Sequence, residues 1–186
     1  MPRTAACDAD GVTTSALIVI DMQQEVLDHC ADAPDVIARI NELSRRAQEV
    51  GVPVIFIQHE GEDELVRGTR DWELADTLEV GEGTHVVPKT FRDAFAATDL
   101  RGLLERMGVG RLVVTGAHSD FCVQTTVLSA LVHGFDVTLV SDAHTATPDD
   151  GAISAGALRD LVNARFSTLR YPDRAIEVLP AEKVEL

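Results

Sequence analysis

Three residues with reactive side chains each follow a short apolar run. Asp21 comes directly after ALIVI, Lys89 directly after THVVP, and Cys122 after LVVT and a short loop. Apolar runs of this kind are typical of buried parallel strands, and residues at the carboxyl ends of such strands lie at one edge of the sheet. We therefore expect the carboxylate, the ammonium group and the thiol to converge there.

A carboxylate, an ammonium group and a thiol in contact could catalyse acyl transfer through a covalent thioester. Asp21 would take the thiol proton as a general base and then pass it to the leaving group. Lys89 would hold the carboxylate in place and stabilise the thiolate, since a neighbouring cation lowers the pKa of a thiol. Two simpler interpretations stay open: Asp21 and Lys89 could form a structural ion pair, and Cys122 could be a small buried apolar residue.

The segment around Cys122 predicts a strand, a loop and then a helix that ends near Gly134. A thiol near a helix N-terminus faces unpaired amide groups and the positive end of the helix dipole, which favour the thiolate. His118, Ser119 and Asp120 are consecutive, and adjacent residues cannot turn their side chains onto one another as a serine-hydrolase triad requires. The GxSxG motif of such enzymes is also missing from the sequence.

These residues are positioned by apolar, β-branched runs that alternate with helical patterns. The predicted strands are 16–20, 54–58, 84–87, 112–115, 136–140 and an edge strand at 176–179. The predicted helices are 34–50, 98–107, 122–134 and about 151–164. This alternation predicts an α/β fold, with a parallel sheet that carries helices on both faces.

The segment from about His59 to Gly83 interrupts the alternation. It is acidic and contains the single tryptophan, Trp72, so we predict a long functional loop with a short helix. Residues 1–15 predict a flexible N-terminal arm, and residues 16–186 a single domain.

Composition excludes several classes of partner. A net charge of −15 argues against nucleic acid and anionic membranes. The sequence has no apolar run near the roughly 18 residues of a membrane span and no secretion signal. Three scattered cysteines without a CxxC pair argue against a disulfide framework or a zinc knot. We expect a cytoplasmic protein that acts on a small-molecule substrate.

Three ordered segments resemble the isochorismatase-like cysteine hydrolase superfamily: ALIVIDMQQEVL, VPKTFRDAFAATDL and GAHSDFCVQTTVLSALVHGFDVTLVSDAHTA. The resemblance covers about 16–146 and implies a three-layer α/β/α sandwich with a mostly parallel central sheet. It implies Asp21, Lys89 and Cys122 as the catalytic triad, and a non-proline cis peptide at Ala117–His118. It further implies an oxyanion hole formed by the His118 and Cys122 amides, and a homodimer or homotetramer.

The resemblance also favours one branch of the superfamily. Members that hydrolyse the vinyl ether of isochorismate can work without the cysteine, so Cys122 favours cleavage of a C–N bond in an amide, carbamate or ureido group. Nicotinamidases of the family bind a metal through an Asp and histidines in the loop after the second strand. Here His59 has no second histidine nearby, so we predict neither metal nor cofactor. A divalent cation on His59, Glu60 and Asp63 stays an open alternative.

Six residues are predicted to line the substrate pocket: Gln23, His59, Trp72, Phe91, Phe121 and His144. Core packing is the alternative for Phe121, and a structural hydrogen bond is the alternative for His144. Two other functions also stay open. One is an isochorismatase-type ether or ester hydrolase with Asp21 as general acid, and the other is a non-catalytic binding or assembly protein. The sequence leaves the substrate and its pathway undefined.

Overall fold

The central element of the computed structural model is a six-stranded sheet in the order β3-β2-β1-β4-β5-β6, and every pairing in it is parallel. The structure describes residues 14–30, 32–147 and 153–186. The strands are β1 Ser15–Ile20, β2 Val54–His59, β3 His85–Lys89, β4 Arg111–Ala117, β5 Asp136–Thr145 and β6 Ile176–Leu179. The helices are α1 Gln24–Leu27, α2 Ala33–Glu49, α3 Leu100–Arg106, α4 Gln124–Val132 and α5 Ala155–Thr168. A π-helical turn, Ser119–Val123, leads into α4, and a 3₁₀ turn, Ala181–Lys183, follows β6.

The side chains of β1 alternate between two apolar cores. Ile18 and Ile20 pack into one core with α3, α4 and α5, whereas Leu17 and Val19 pack into the other with α1 and α2. Both sets of side chains are fully buried, as expected for the central strand of a sheet covered on both faces. The three-layer α/β/α sandwich is therefore confirmed.

Five of the six predicted strands have different bounds in the structure, and the differences at two of them affect the site. β3 begins one residue late and runs through Lys89, so Lys89 is the last residue of a strand rather than the first residue after it. β5 continues to Thr145 because its pairing with β4 resumes after an irregularity, with Gly116 opposite His144 and Ala117 opposite Thr145. The polar SDAHT sequence gave no sign of this extension.

Other differences concern helices and the chain outside the described residues. The predicted short helix in the long loop is wrong: no helix lies in residues 60–84, all of which the structure describes. The last helix runs to Thr168, four residues beyond the predicted end. The predicted flexible arm falls on residues 1–13 for the most part, and with Cys7 it lies outside the described residues. No helix of the described chain is long and apolar enough to cross a membrane.

The ends of β1 and β4 approach closely at Gly116. Its φ is +118°, and a Cβ at this position would lie 2.1 Å from the carbonyl oxygen of Ile20. A side chain would therefore force the two strands apart. The contact brings Asp21, the residue after Ile20, next to the turn that carries Cys122.

Candidate active site

Asp21, Lys89 and Cys122 converge at the carboxyl edge of the sheet. Lys89 Nζ lies 2.7 Å from Asp21 Oδ2 and donates a hydrogen bond of 3.4 Å to Cys122 Sγ. The side chain of Lys89 is 0% exposed and that of Asp21 is 3% exposed. An isolated charge at this depth would be strongly destabilising, so the Asp21 carboxylate and the Lys89 ammonium each require the other as a counter-ion.

His59 is a third partner of Lys89. It is the last residue of β2, the strand next to β3, and its Nδ1 lies 3.0 Å from Lys89 Nζ. An ammonium group has three N–H donors, and here they face a carboxylate, a thiol and an imidazole. The sequence indicated that His59 belongs to the site, but not that it contacts Lys89.

The surroundings of Cys122 favour the protonated thiol. Burial raises the pKa of Cys122 to about 12, the negative charge of Asp21 adds to that rise, and Lys89 opposes it. Burial and the Asp21 carboxylate thus oppose the thiolate that the helix N-terminus is expected to favour. Asp21 Oδ1 is buried and has no hydrogen-bond partner among the described residues, so it can accept the thiol proton.

A proton that moves from Cys122 to Asp21 does not change the total charge of the site. Before the transfer the site holds a carboxylate, an ammonium group and a neutral thiol. After it the site holds a neutral acid, an ammonium group and a thiolate. Loss of the proton to solvent would instead leave an uncompensated buried negative charge. This cost raises the pKa of the thiol.

The peptide bond between Ala117 and His118 is cis. No described residue accepts a hydrogen bond from the His118 amide. The His118 ring is held by its Nε2, which lies 2.9 Å from the Val26 carbonyl oxygen and 3.2 Å from Thr147 Oγ1.

A cavity of about 590 Å³ opens above Cys122. Of the six predicted pocket residues it is lined by His59 and Phe121. Gln23, Trp72, Phe91 and His144 are placed elsewhere. Its other lining residues are Asp21, Val26, Gly61, Asp63, Glu64, Leu65, Arg92, His118 and Cys122. Most of the lining that the sequence did not indicate comes from the long loop, whose residues show no periodicity.

Two residues that were wrongly predicted to line the cavity, Gln23 and Trp72, hold the long loop in position. Gln23 is fully buried, donates hydrogen bonds to the carbonyl oxygens of His59 and Trp72, and accepts one from the His59 amide. The Trp72 carbonyl accepts a second hydrogen bond from Gln58. Gln23 and Trp72 therefore fix the backbone beside the cavity rather than line it.

Phe91 and Arg92 show why the aromatic lining was predicted only in part. Phe91 is 56% exposed and does not reach the cavity, whereas its neighbour Arg92 does. The Arg92 guanidinium lies 4.1 Å from the centre of the Phe121 ring, within cation–π distance. Arg92 and Phe121 thus form one wall of the cavity.

His144 lies beneath the site in a buried hydrogen-bond chain. Its Nδ1 is 2.7 Å from Ser119 Oγ and its Nε2 is 3.0 Å from Asn163 Oδ1. Asn163 also donates to the Ser141 carbonyl oxygen. Burial lowers the pKa of His144 to about 4, so the ring is neutral. The structural hydrogen bond, given above as the alternative for His144, is what the structure shows: the chain ties α5 and β5 to the turn that carries Cys122.

Within the described ranges, no group of three or more His, Cys, Asp or Glu side chains is arranged to hold a metal ion. Glu60, one of the three residues considered for a cation, has Arg67 3.9 Å from its carboxylate.

A parallel α/β sandwich with Asp, Lys and Cys side chains under a cavity places reactive groups where open α/β sheets bind their ligands. The sequence profile described as "Isochorismatase domain" matches residues 15–169, and the chain belongs to the isochorismatase-like hydrolase superfamily.

Known proteins resemble the chain along most of its length. A streptothricin hydrolase from Streptomyces noursei is 38% identical over 92% of the chain and 67% of its own length. A second one from that organism is 37% identical, and the chain spans 61% of it. A ureidoacrylate amidohydrolase from Methylorubrum extorquens is 28% identical over 86% of the chain and 79% of its own length. The crystal structure of an isochorismatase from Pseudomonas putida KT2440 superposes with a TM-score of 0.81 at 28% identity, covering 92% of this chain and 90% of that one.

Proposed function

We propose that this protein is a cysteine hydrolase that cleaves the C–N bond of a small amide, carbamate or ureido compound through a covalent thioester. The observation that carries the proposal is the buried Lys89 ammonium, which joins Asp21 to Cys122 at the floor of the cavity. The similarity to proteins named streptothricin hydrolase and ureidoacrylate amidohydrolase supports an amide-type substrate.

In the first half of the proposed reaction, Asp21 Oδ1 takes the thiol proton while Cys122 Sγ attacks the carbonyl carbon. The tetrahedral oxyanion is stabilised by the amides of His118 and Cys122. The C–N bond then breaks, and Asp21 gives its proton to the departing nitrogen. The amine leaves, and the acyl group stays on sulfur.

In the second half, water attacks the thioester. Asp21 takes a proton from the water as the new C–O bond forms, and the C–S bond breaks to release the acid. The thiolate then regains the proton from Asp21, which restores the starting state. Lys89 stays protonated throughout, because it offsets the negative charge that passes between oxygen and sulfur.

The test is turnover of three amides, namely streptothricin, ureidoacrylate and nicotinamide, with products followed by mass spectrometry. We expect Cys122→Ala to abolish turnover, since no nucleophile remains. Cys30→Ala is the matched control, because Cys30 is also a free cysteine but is buried outside the cavity. Undiminished turnover by Cys122→Ala would overturn the thioester mechanism.

The same panel separates the other two functions. Isochorismate hydrolysis that survives Cys122→Gly but not Asp21→Asn would favour an ether hydrolase with Asp21 as general acid. A small aldehyde probe, acetaldehyde, should form a mass adduct on Cys122 of an active cysteine hydrolase. A protein that neither forms the adduct nor turns over any of these compounds would be a binding protein.

A further inference from the structure

The contact between Lys89 and His59 fixes where the proton of the His59 ring lies. Lys89 Nζ lies 3.0 Å from His59 Nδ1 and forms an ion pair with Asp21. An ammonium group has no lone pair and can only donate, so Nδ1 must be the acceptor and carries no proton. The single N–H of the neutral ring is therefore on Nε2.

The surroundings of His59 keep the ring neutral. Burial lowers the pKa of His59, and the nearby charge of Lys89 lowers it further. The carboxylates of Asp21, Glu60 and Glu64 act in the opposite direction but are weaker. A second cation beside the Lys89 ammonium is thus disfavoured.

The other ring nitrogen of His59, Nε2, is not engaged by Lys89. His59 lines the cavity together with Cys122, and its Nε2 makes no hydrogen bond to any residue that the structure describes. The backbone of His59 is fixed by Gln23, which accepts from its amide at 2.8 Å and donates to its carbonyl oxygen at 2.9 Å. The Nε2–H group is therefore a free donor on a residue that lines the same cavity as the thiol.

We propose that His59 serves two roles, positioning the Lys89 ammonium through Nδ1 and binding an acceptor oxygen of the substrate through Nε2–H. This inference rests on the hydrolase function proposed above. It narrows the substrate class to compounds with a second acceptor oxygen, besides the carbonyl oxygen that the His118 and Cys122 amides bind. Neither of these two roles requires His59 to bind a metal ion.

Two substitutions separate the two roles. In His59→Asn the side-chain oxygen can occupy the position of Nδ1 and accept from Lys89, but no donor reaches the position of Nε2. In His59→Gln the longer amide can place an N–H near the position of Nε2 but leaves Lys89 without its third acceptor. His85→Gln is the matched control, since His85 lies on β3 away from this cavity.

The tautomer is tested first, by two-dimensional proton–nitrogen NMR of the histidine rings at pH 7, with the His59 signals assigned by their loss in His59→Gln. We expect a protonated Nε2 and an unprotonated Nδ1. A proton on Nδ1, or on both nitrogens, would overturn the inference. This measurement needs no substrate, so its result does not depend on the proposed reaction.

The positioning role is tested by the rate at which iodoacetamide alkylates Cys122 across a pH series. We expect His59→Gln to slow alkylation at pH 7 about tenfold, roughly the value of one hydrogen bond to a charged group. His59→Asn and His85→Gln should react like the wild type. Equal rates for His59→Asn and His59→Gln, in folded proteins with wild-type melting behaviour, would overturn this role.

The binding role is tested with whichever of the three panel amides the wild type hydrolyses. We expect His59→Asn to raise KM about tenfold or more while the alkylation rate stays unchanged. An unchanged KM would overturn the binding role. If the wild type hydrolyses none of the three, the proposed function fails, and with it the binding role, while the NMR and alkylation results still decide the positioning role.

Discussion

At the scale of single residues, the site consists of charges that are stable only together. Asp21 and Lys89 are both buried, and Lys89 supplies the cation that the carboxylate requires. Breaking such a pair from one side leaves an uncompensated buried charge, whereas neutralising both partners does not. This difference allows stability and catalysis to be measured separately.

We predict that Lys89→Met lowers the free energy of unfolding by about 3 kcal/mol, because Asp21 is left buried without a counter-ion. The double variant Lys89→Met with Asp21→Asn should regain most of this stability but no activity. Urea unfolding and turnover assays on the same samples provide the measurement. A double variant as unstable as Lys89→Met would show that packing of the lysine side chain, not charge, is what the site requires.

At the scale of elements, the approach of β1 and β4 depends on the absence of a side chain at Gly116. We predict that Gly116→Ala destabilises the protein by well over 2 kcal/mol, since its Cβ would lie 2.1 Å from the Ile20 carbonyl oxygen. Gly134→Ala is the control: Gly134 has a φ of +91°, but a Cβ there meets nothing within 4 Å.

The control variant should lose only the roughly 1 kcal/mol that left-handed backbone costs an alanine. Thermal unfolding of both variants measures the difference. Equal losses in the two would mean that backbone conformation alone accounts for Gly116, and that the strand contact can relax.

The turn that carries Cys122 is tied to β5 and α5 through His144, and this connection is sensitive to acid. Burial lowers the pKa of His144 from 6.5 to about 4, so the unfolded chain binds a proton at higher pH than the folded protein does. The stability that His144 contributes is therefore fully present above pH 6.5 and is lost as the pH falls towards 4. The loss amounts to about 3 kcal/mol.

The variant His144→Gln, whose side chain stays neutral at every pH, should lack this part of the pH dependence. Chemical unfolding of both proteins between pH 7 and pH 4 measures it. The gap between the two stability curves should narrow as the pH falls. Parallel curves would show that the pKa of His144 is the same in the folded and unfolded states.

The sequence predicted the elements and the three central residues of the site because both depend on local patterns. ALIVI and VIFI are apolar throughout, and a reactive residue that follows a buried parallel strand lies at the carboxyl edge of the sheet. The pocket lining depended on loop conformation instead. Phe91 and Arg92 are adjacent, and nothing in their sequence decides which one turns towards Cys122. The extension of β5 through His144 depended on pairing with β4, which no single segment encodes.

At the scale of the whole molecule, the net charge of −15 makes the folded state repel itself. The ion pairs between described residues are mostly exposed, and such pairs offset only a little of this repulsion. We predict that raising NaCl from about 0.01 M to about 0.15 M, where the Debye length falls from roughly 30 Å to 8 Å, increases the melting temperature. Scanning calorimetry measures it, and a melting temperature that falls with salt would show that the ion pairs dominate.

The long loop is fixed at both ends of the stretch that lines the cavity, which determines where its sequence can vary. Residues 71–75 are hydrogen-bonded to residues 22–25, and the Glu60 amide donates to the carbonyl oxygen of Lys89. One end of the stretch 61–70 is therefore fixed to the last residue of β3, and the other to the segment after β1. Gly61, Asp63, Glu64 and Leu65 lie between these fixed ends and face the cavity. The amino-acid sequence of this stretch can therefore change, and with it the substrate that fits the cavity, while Asp21, Lys89 and Cys122 keep their positions.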